Sequence, residues 1–269
     1  MKHRRMLPLL LLAAAGLGAC ASRGEAPEES TRLRCIVAGY SNAARIDSDD
    51  PENYPYLKEP SRVYCFGISP DAQGNWYVDP VREHNQTTVR KAMRPHQEAF
   101  LVVGGGATAG NMYTMGTDPE KRAAFAEAAV QYAHARQFDG IDIDWETDWS
   151  SEPFRHVPKD DMIDLLTLIR TAMKALPPDT KVRQLTAALS SNTGGQELGG
   201  CIAPYVDHIN VMIYDTYGTP EEGYPHAPMR IMKATLDGYA ANGVPNDKII
   251  VGVPFYGGDR RVSPAETKP

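Results

Sequence analysis

Seven short runs of β-branched and apolar residues recur along the chain: Leu33 to Gly39, Arg62 to Ile68, Phe100 to Val103, Gly140 to Trp145, Gln184 to Leu189, His208 to Tyr214 and Ile249 to Phe255. Helical or loop material separates them, and that alternation predicts a parallel α/β fold. Between the third and fourth runs, Asp118 and Pro119 supply an N-cap and a helix-compatible first turn. Phe125, Ala128, Ala129, Tyr132 and Ala133 then fall at helical spacing within Ala123 to Arg136. Asp161 to Leu176 repeats the pattern with Met162, Leu165, Leu166, Ile169 and Met173 on one face, and Pro177 and Pro178 stop it. Met229 to Asn242 is a third helix candidate. The strand count is one short of the eight in a complete (β/α)8 barrel.

The first residues have a different character. Met1 to Arg5 are basic, and an apolar run from Met6 to Ala19 follows, the layout of a secretory signal. This run, about 14 residues interrupted by Pro8, is shorter than the roughly 20 a membrane-spanning helix needs. It ends in Leu17, Gly18, Ala19, Cys20, which resembles the lipobox of bacterial lipoproteins, so Cys20 is the expected lipidation site. The expected organisation is a signal segment over 1–19, a lipidated cysteine and small, polar, acidic tether over 20–32, and one globular domain over 33–269. The expected location is the cell envelope, on a membrane, through the lipid.

Charge and cysteine content narrow the partners. A net charge of −6 without a basic stripe argues against a nucleic acid and favours a neutral or cationic substrate. Cys35, Cys65 and Cys201 stand in or beside apolar segments with no CxxC or His-rich setting, so they are expected to be small buried thiols, with no disulfide and no metal site. No cofactor is implied, and the chain is expected to act as a monomer.

The most informative stretch is Phe138 to Trp149. In a strand, alternate residues share a face, so Asp142, Asp144 and Glu146 line one side while Ile141, Ile143 and Trp145 line the other. Stacking carboxyls in one row is costly, because like charges and burial both oppose ionisation. The arrangement suits a site that keeps one carboxyl protonated as a general acid while a neighbour stays charged. A solvated edge strand is the competing structural explanation, but the opposite face is apolar and a long amphipathic helix precedes the strand. A metal-binding row is a second alternative, though divalent sites recruit ligands from several loops. Asp139 lies on the other parity and is expected to be structural.

The run DGIDIDWE resembles the DxxDxDxE signature of family 18 glycoside hydrolases, placed on the fourth strand of a TIM barrel. VDHINVMIYDTYG (206–218) resembles that family's sixth strand, LTAAL (185–189) its fifth, and DKIIVGVPFYG (247–257) its seventh. The resemblance covers roughly Leu33 to Gly257. It implies a chitinase-like enzyme that hydrolyses β-1,4-linked N-acetylglucosamine glycans with retention, the substrate's own 2-acetamido oxygen acting as nucleophile. Carried onto this sequence, Glu146 is the acid, Asp144 orients the acetamido N–H and stabilises the oxazolinium, and Asp142 shares a proton with Asp144. Tyr214 binds the acetamido oxygen, Met212 and Asp215 shape the pocket, and Tyr40 and Phe66 floor the sugar site by stacking.

Two departures from the family pattern stand out. The third strand of the family carries a serine where this chain has Val102, ahead of Gly104, Gly105 and Gly106, so a hydrogen bond to the acidic row is expected to be missing. The residues after the seventh strand, Asp259 to Pro269, show no strand character, so the eighth strand and its tryptophan have no counterpart in this sequence. The motif itself leaves open an endo-β-N-acetylglucosaminidase acting on N-glycans or a hydrolase of cell-wall glycan. A chitin-binding lectin on the same barrel is the alternative from another class.

Overall fold

The seven apolar runs become seven parallel strands in a computed structural model that describes residues 35–42, 45–147, 155–219, 223 and 225–256. In chain order they are β1 (Ala38–Asn42), β2 (Arg62–Ile68), β3 (Glu98–Gly104), β4 (Gly140–Asp144), β5 (Gln184–Ser190), β6 (His208–Met212) and β7 (Ile249–Gly252). Each pairs with its sequence neighbours, in the spatial order β1 to β7. The helices are α1 (Pro80–Ala92), α2 (Ala109–Gly116), α3 (Pro119–Ala135), α4 (Lys159–Ala175), α5 (Thr193–Ile202) and α6 (Met229–Ala241). The expected signal segment, Cys20 and the tether lie outside the described residues.

The sheet is curled into a barrel wall, and side chains reaching across it prove the curvature. In a flat sheet β1 and β6 would stand five strand spacings apart, about 24 Å. Yet the Asn210 side-chain amide on β6 donates to the Tyr40 hydroxyl on β1 at 2.8 Å. Arg62 on β2 likewise reaches Gln184 on β5 at 2.7 Å. Among the described residues β1 pairs only with β2 and β7 only with β6, and no eighth strand joins them.

The two faces of the wall differ as period-2 alternation requires. Outward-pointing Val63, Leu101, Val103, Ile141, Ile143, Leu185, Ile209 and Val211 are fully or almost fully buried against the helices, in one continuous core with Phe125, Leu165, Leu166 and Ile169. Burying each such large side chain contributes about 1.5–3 kcal/mol before entropy is counted. The inward face carries a small apolar cluster of Tyr64, Phe100 and Val102, then polar side chains.

Local chemistry sets the helix starts. Asp79 accepts from the amides of Val81 and Arg82, and Asp118 from those of Glu120 and Lys121, each followed by proline in the first turn. Arg122 on α3 is buried and pairs with Asp161 at 2.9 Å and Asp164 at 2.7 Å, clamping α3 to α4.

Several expected boundaries shift. β1 begins at Ala38, later than the run from Leu33 suggested, and continues to Asn42. β6 ends at Met212, so Tyr214 sits beyond the strand, and β7 ends at Gly252 rather than Phe255. The cysteine expectation holds for Cys65 alone: all three described cysteines are free, but Cys35 and Cys201 are exposed. Cys35 precedes β1, and Cys201 lies on a face of α5 that the core does not cover.

Candidate active site

β4 runs between β3 and β5, with Asp142 in register with Val102 and Thr186. This central position removes the edge-strand explanation for the acidic row. Ile141, Ile143 and Trp145 point into the outer core, and Asp142 and Asp144 are buried on the inner face. Asp139 is structural, as its parity implied: its Oδ2 accepts the Ala99 amide at 2.8 Å and ties β3 to β4.

The three acids have three different environments. Asp142 is completely enclosed but richly bonded. It accepts from the Tyr40 hydroxyl at 2.8 Å, the Thr186 hydroxyl at 2.5 Å and the Asn210 amide at 2.9 Å. Burial pushes its carboxyl up to about 6, and those three donors hold it from rising further. With Val102 beside it, Asp142 draws its donors from β1, β5 and β6, and β3 offers none.

Asp144 lies one step nearer the open end. Its Oδ1 is buried and, among the described residues, has no hydrogen-bond partner. Burial first, then the charges of Glu146 and Asp142, raise its proton affinity well above the usual carboxylate range. No hydrogen bond joins it to Asp142, whose oxygens are engaged elsewhere.

Glu146 follows the strand and is half-buried. Desolvation raises its carboxyl, the Gly106 amide pulls it back, and the nearby Asp215 charge pushes it up again. The glycines that close and follow β3 make room for these acids. A Cβ on Gly104, whose φ is +107°, would stand 2.2 Å from the Asp144 carbonyl oxygen, and one on Gly106 would stand 3.2 Å from Glu146 Oε1.

The other expected residues gather around this row. Tyr40 stacks on Tyr64 with centroids 4.5 Å apart and leans on Phe66 at 5.7 Å. The residue is 42% exposed, and its hydroxyl donates to Asp142, so its main contact with the row is a hydrogen bond. Tyr214, half-buried in the segment after β6, has its hydroxyl proton held more tightly than usual by burial and by the charges of Asp144 and Glu146. A cavity of about 670 Å³ opens beside Glu146, walled by Trp145, Ser190, Asn192, Leu198 and Met212 among others. Its volume falls in the range of small-molecule sites. Asp142, Asp144, Tyr214, Tyr40 and Phe66 are not part of its wall.

Three contributors escaped the sequence reading: Thr186, Asn210 and Tyr64, whose hydroxyl donates to Asn210 at 3.2 Å. Their signal was parity, since each is a polar side chain on the inward register of an otherwise apolar strand.

The model for glycosyl hydrolases family 18 matches residues 32–268. The chain belongs to this family. Among curated relatives, the chain is 30% identical to a chitinase A1 of Niallia circulans over 212 residues, 68% of this chain and 30% of that protein. A class V chitinase of Lotus japonicus is 26% identical, over 61% of this chain and 45% of the relative. The chain thus spans less than half the length of either. Among solved structures, the chitinase domain of the spore coat protein CotE from Clostridium difficile superposes with a TM-score of 0.62 at 25% identity, covering 86% of this chain and 68% of that one. The chain's curled sheet is therefore the family's TIM-type barrel wall with seven of its strands described.

Proposed function

We propose that this chain is a chitinase-like glycosidase that hydrolyses β-1,4-linked N-acetylglucosamine glycans by substrate-assisted retention. The observation that carries the reading is the divergence of the three acids. Asp142 is satisfied by three donors, Asp144 keeps an orphaned buried oxygen, and Glu146 is half-exposed with its proton affinity raised.

Glu146 then enters the reaction protonated and gives its proton to the leaving glycosidic oxygen as the C1–O bond breaks. The acetamido carbonyl oxygen forms the new bond to C1, and the positive charge spreads over the oxazolinium ring. Asp144 Oδ1 accepts from the acetamido N–H, which supplies its missing partner, and the positive charge growing on the ring favours the ionised form of this carboxyl, which stabilises the cation in turn. The Tyr214 hydroxyl donates to the acetamido oxygen and holds it on the line of attack. Glu146, now a carboxylate, takes a proton from water, whose oxygen reopens the ring at C1 on the original face. Chitinase names among the relatives support the substrate class.

Export and anchoring through Cys20 belong to the same proposal and rest on the run from Met1 to Cys20.

Proton NMR of fresh hydrolysate from a chito-oligosaccharide tests the mechanism. Retention gives the β-anomer first, with the α-anomer growing in by mutarotation. An α-anomer as first product contradicts it.

A further inference from the structure

Asp215 follows Tyr214 directly and takes a left-handed backbone, φ +54°, a conformation that costs most non-glycine residues energy. Two side chains flank it, His226 and Tyr256. Its amide N–H points at His226 Nε2 at 2.7 Å. Its carboxylate Oδ1 stands 3.6 Å from that same nitrogen, beyond hydrogen-bonding range. The Tyr256 hydroxyl donates to the carboxylate instead, 3.0 Å from Oδ1 and 2.9 Å from Oδ2.

The direction of the first bond fixes the state of the imidazole. A backbone amide can only donate, so Nε2 presents its lone pair and the ring proton resides on Nδ1. Nδ1 is itself buried and, among the described residues, has no partner. The ring is otherwise well seated: it stacks on Tyr217 with centroids 5.0 Å apart and planes 16° from parallel, and it tilts against Tyr256 at 5.4 Å. Two backbone bonds close the surrounding turn, Gly218 N–H to Pro225 O at 2.9 Å and Ala227 N–H to Thr216 O at 2.8 Å.

A buried N–H with no acceptor is a stability loss that a phenyl ring of the same shape would not carry. What the imidazole offers and a phenyl ring cannot is the acceptor at Nε2. We propose that neutral His226, in its Nδ1–H tautomer, is a positioning residue: by accepting the Asp215 amide it fixes the left-handed turn, and so the placement of Tyr214 and of the Asp215 carboxylate. The Asp215 charge is one of the influences that raise the Glu146 carboxyl, so the same contact sets part of the acid's proton affinity. The catalytic consequence rests on the function proposed above. The contact itself does not.

The experiment pairs two variants with one spectrum. His226→Phe keeps the stacking on Tyr217 and removes the acceptor. The Nδ1–H cost removed and the acceptor of the Asp215 amide lost offset one another, so the variant is expected to fold with a Tm near wild type while kcat on a chito-oligosaccharide falls roughly tenfold to a hundredfold, the scale of misplacing a reacting group by about 1 Å. KM is expected to change less than kcat. His226→Gln restores an oxygen acceptor and recovers most of the loss. Wild-type kcat in a folded His226→Phe variant overturns the proposal, as does a His226→Gln variant no better than the phenylalanine.

Nitrogen-15 NMR of the His226 ring in the wild-type chain reads the contact without any substrate. An unprotonated Nε2 beside a protonated Nδ1 is expected, and a ring protonated on Nε2 overturns the assignment even if a variant fails to fold. A wild-type chain that cleaves no acetamido-glycan refutes the proposed function, and the ring spectrum still decides the contact.

Discussion

At the scale of single residues, two carboxyls on β4 and one just past its end share a sequence pattern and differ in what surrounds them. Asp142 holds its proton up to about pH 6 because it is buried, against an ordinary aspartate value near 4. A folded-state value above the unfolded one means the folded protein binds the proton more tightly. The associated stability is therefore present in full below about pH 4 and is lost as pH rises through about 6, by on the order of 3 kcal/mol. Urea unfolding across that window is expected to show this fall in the wild type and a shallower one in Asp142→Asn. A second prediction concerns Thr186. Thr186→Val deletes one donor to the buried carboxylate, which raises Asp142 further and is expected to cost about 1.5–3 kcal/mol at neutral pH, with reduced turnover. An unchanged urea midpoint contradicts the short Thr186–Asp142 bond. Period-2 alternation made Asp142, Asp144 and Glu146 legible from the sequence. Thr186 and Asn210 are not legible in this way, because one polar residue in an apolar strand carries no spacing of its own until the barrel curls it toward a partner.

At the scale of elements, the strands were readable because each is a dense apolar run, and their ends were not, because hydrogen-bond register rather than composition stops them. β6 and β7 both end where the chain turns toward the site, at Met212 and Gly252. α1 carries the same Asp-Pro start as α3 but no apolar stripe to announce it, since its mean hydropathy is lower and its buried face includes Asn85, Gln86 and Thr88. α5 holds four glycines, which lowers helix propensity, and tertiary packing overrides this: a Cβ on Gly199 would stand 2.6 Å from the Tyr239 ring. The turn after β3 gives a direct test. Gly104→Ala places a methyl against the Asp144 carbonyl at a φ that alanine resists, so a loss of at least about 1–3 kcal/mol is expected in denaturant unfolding, with weakened turnover. The cysteines give another. Cys35 and Cys201 are expected to label in the native state, while Cys65, buried with its thiol pushed up to about 12, labels only on unfolding. Peptide mass spectrometry distinguishes the sites.

At the scale of the whole molecule, contacts between distant strands turn an alternating sequence into a site. Tyr40, Asp142, Thr186 and Asn210 come from four strands and meet only because the sheet curls. The fold class was legible since alternating strands and helices admit few topologies. The curl itself lies in pairings no local pattern encodes. On the same scale, Cys20→Ala in the expressing cell is expected to move the chain from the membrane pellet to the soluble fraction, and a variant that stays in the pellet contradicts the anchor. The central claim is that Glu146 is the acid of a glycosidase. Its most direct test is release of new reducing ends from chitin oligosaccharides by the purified chain from Ala21 onward, beside its Glu146→Gln variant. The account predicts turnover in the first and a loss of roughly 10²–10⁴-fold in the second, with oligosaccharide binding retained. Equal turnover in the two, or none in the unaltered chain, would contradict it.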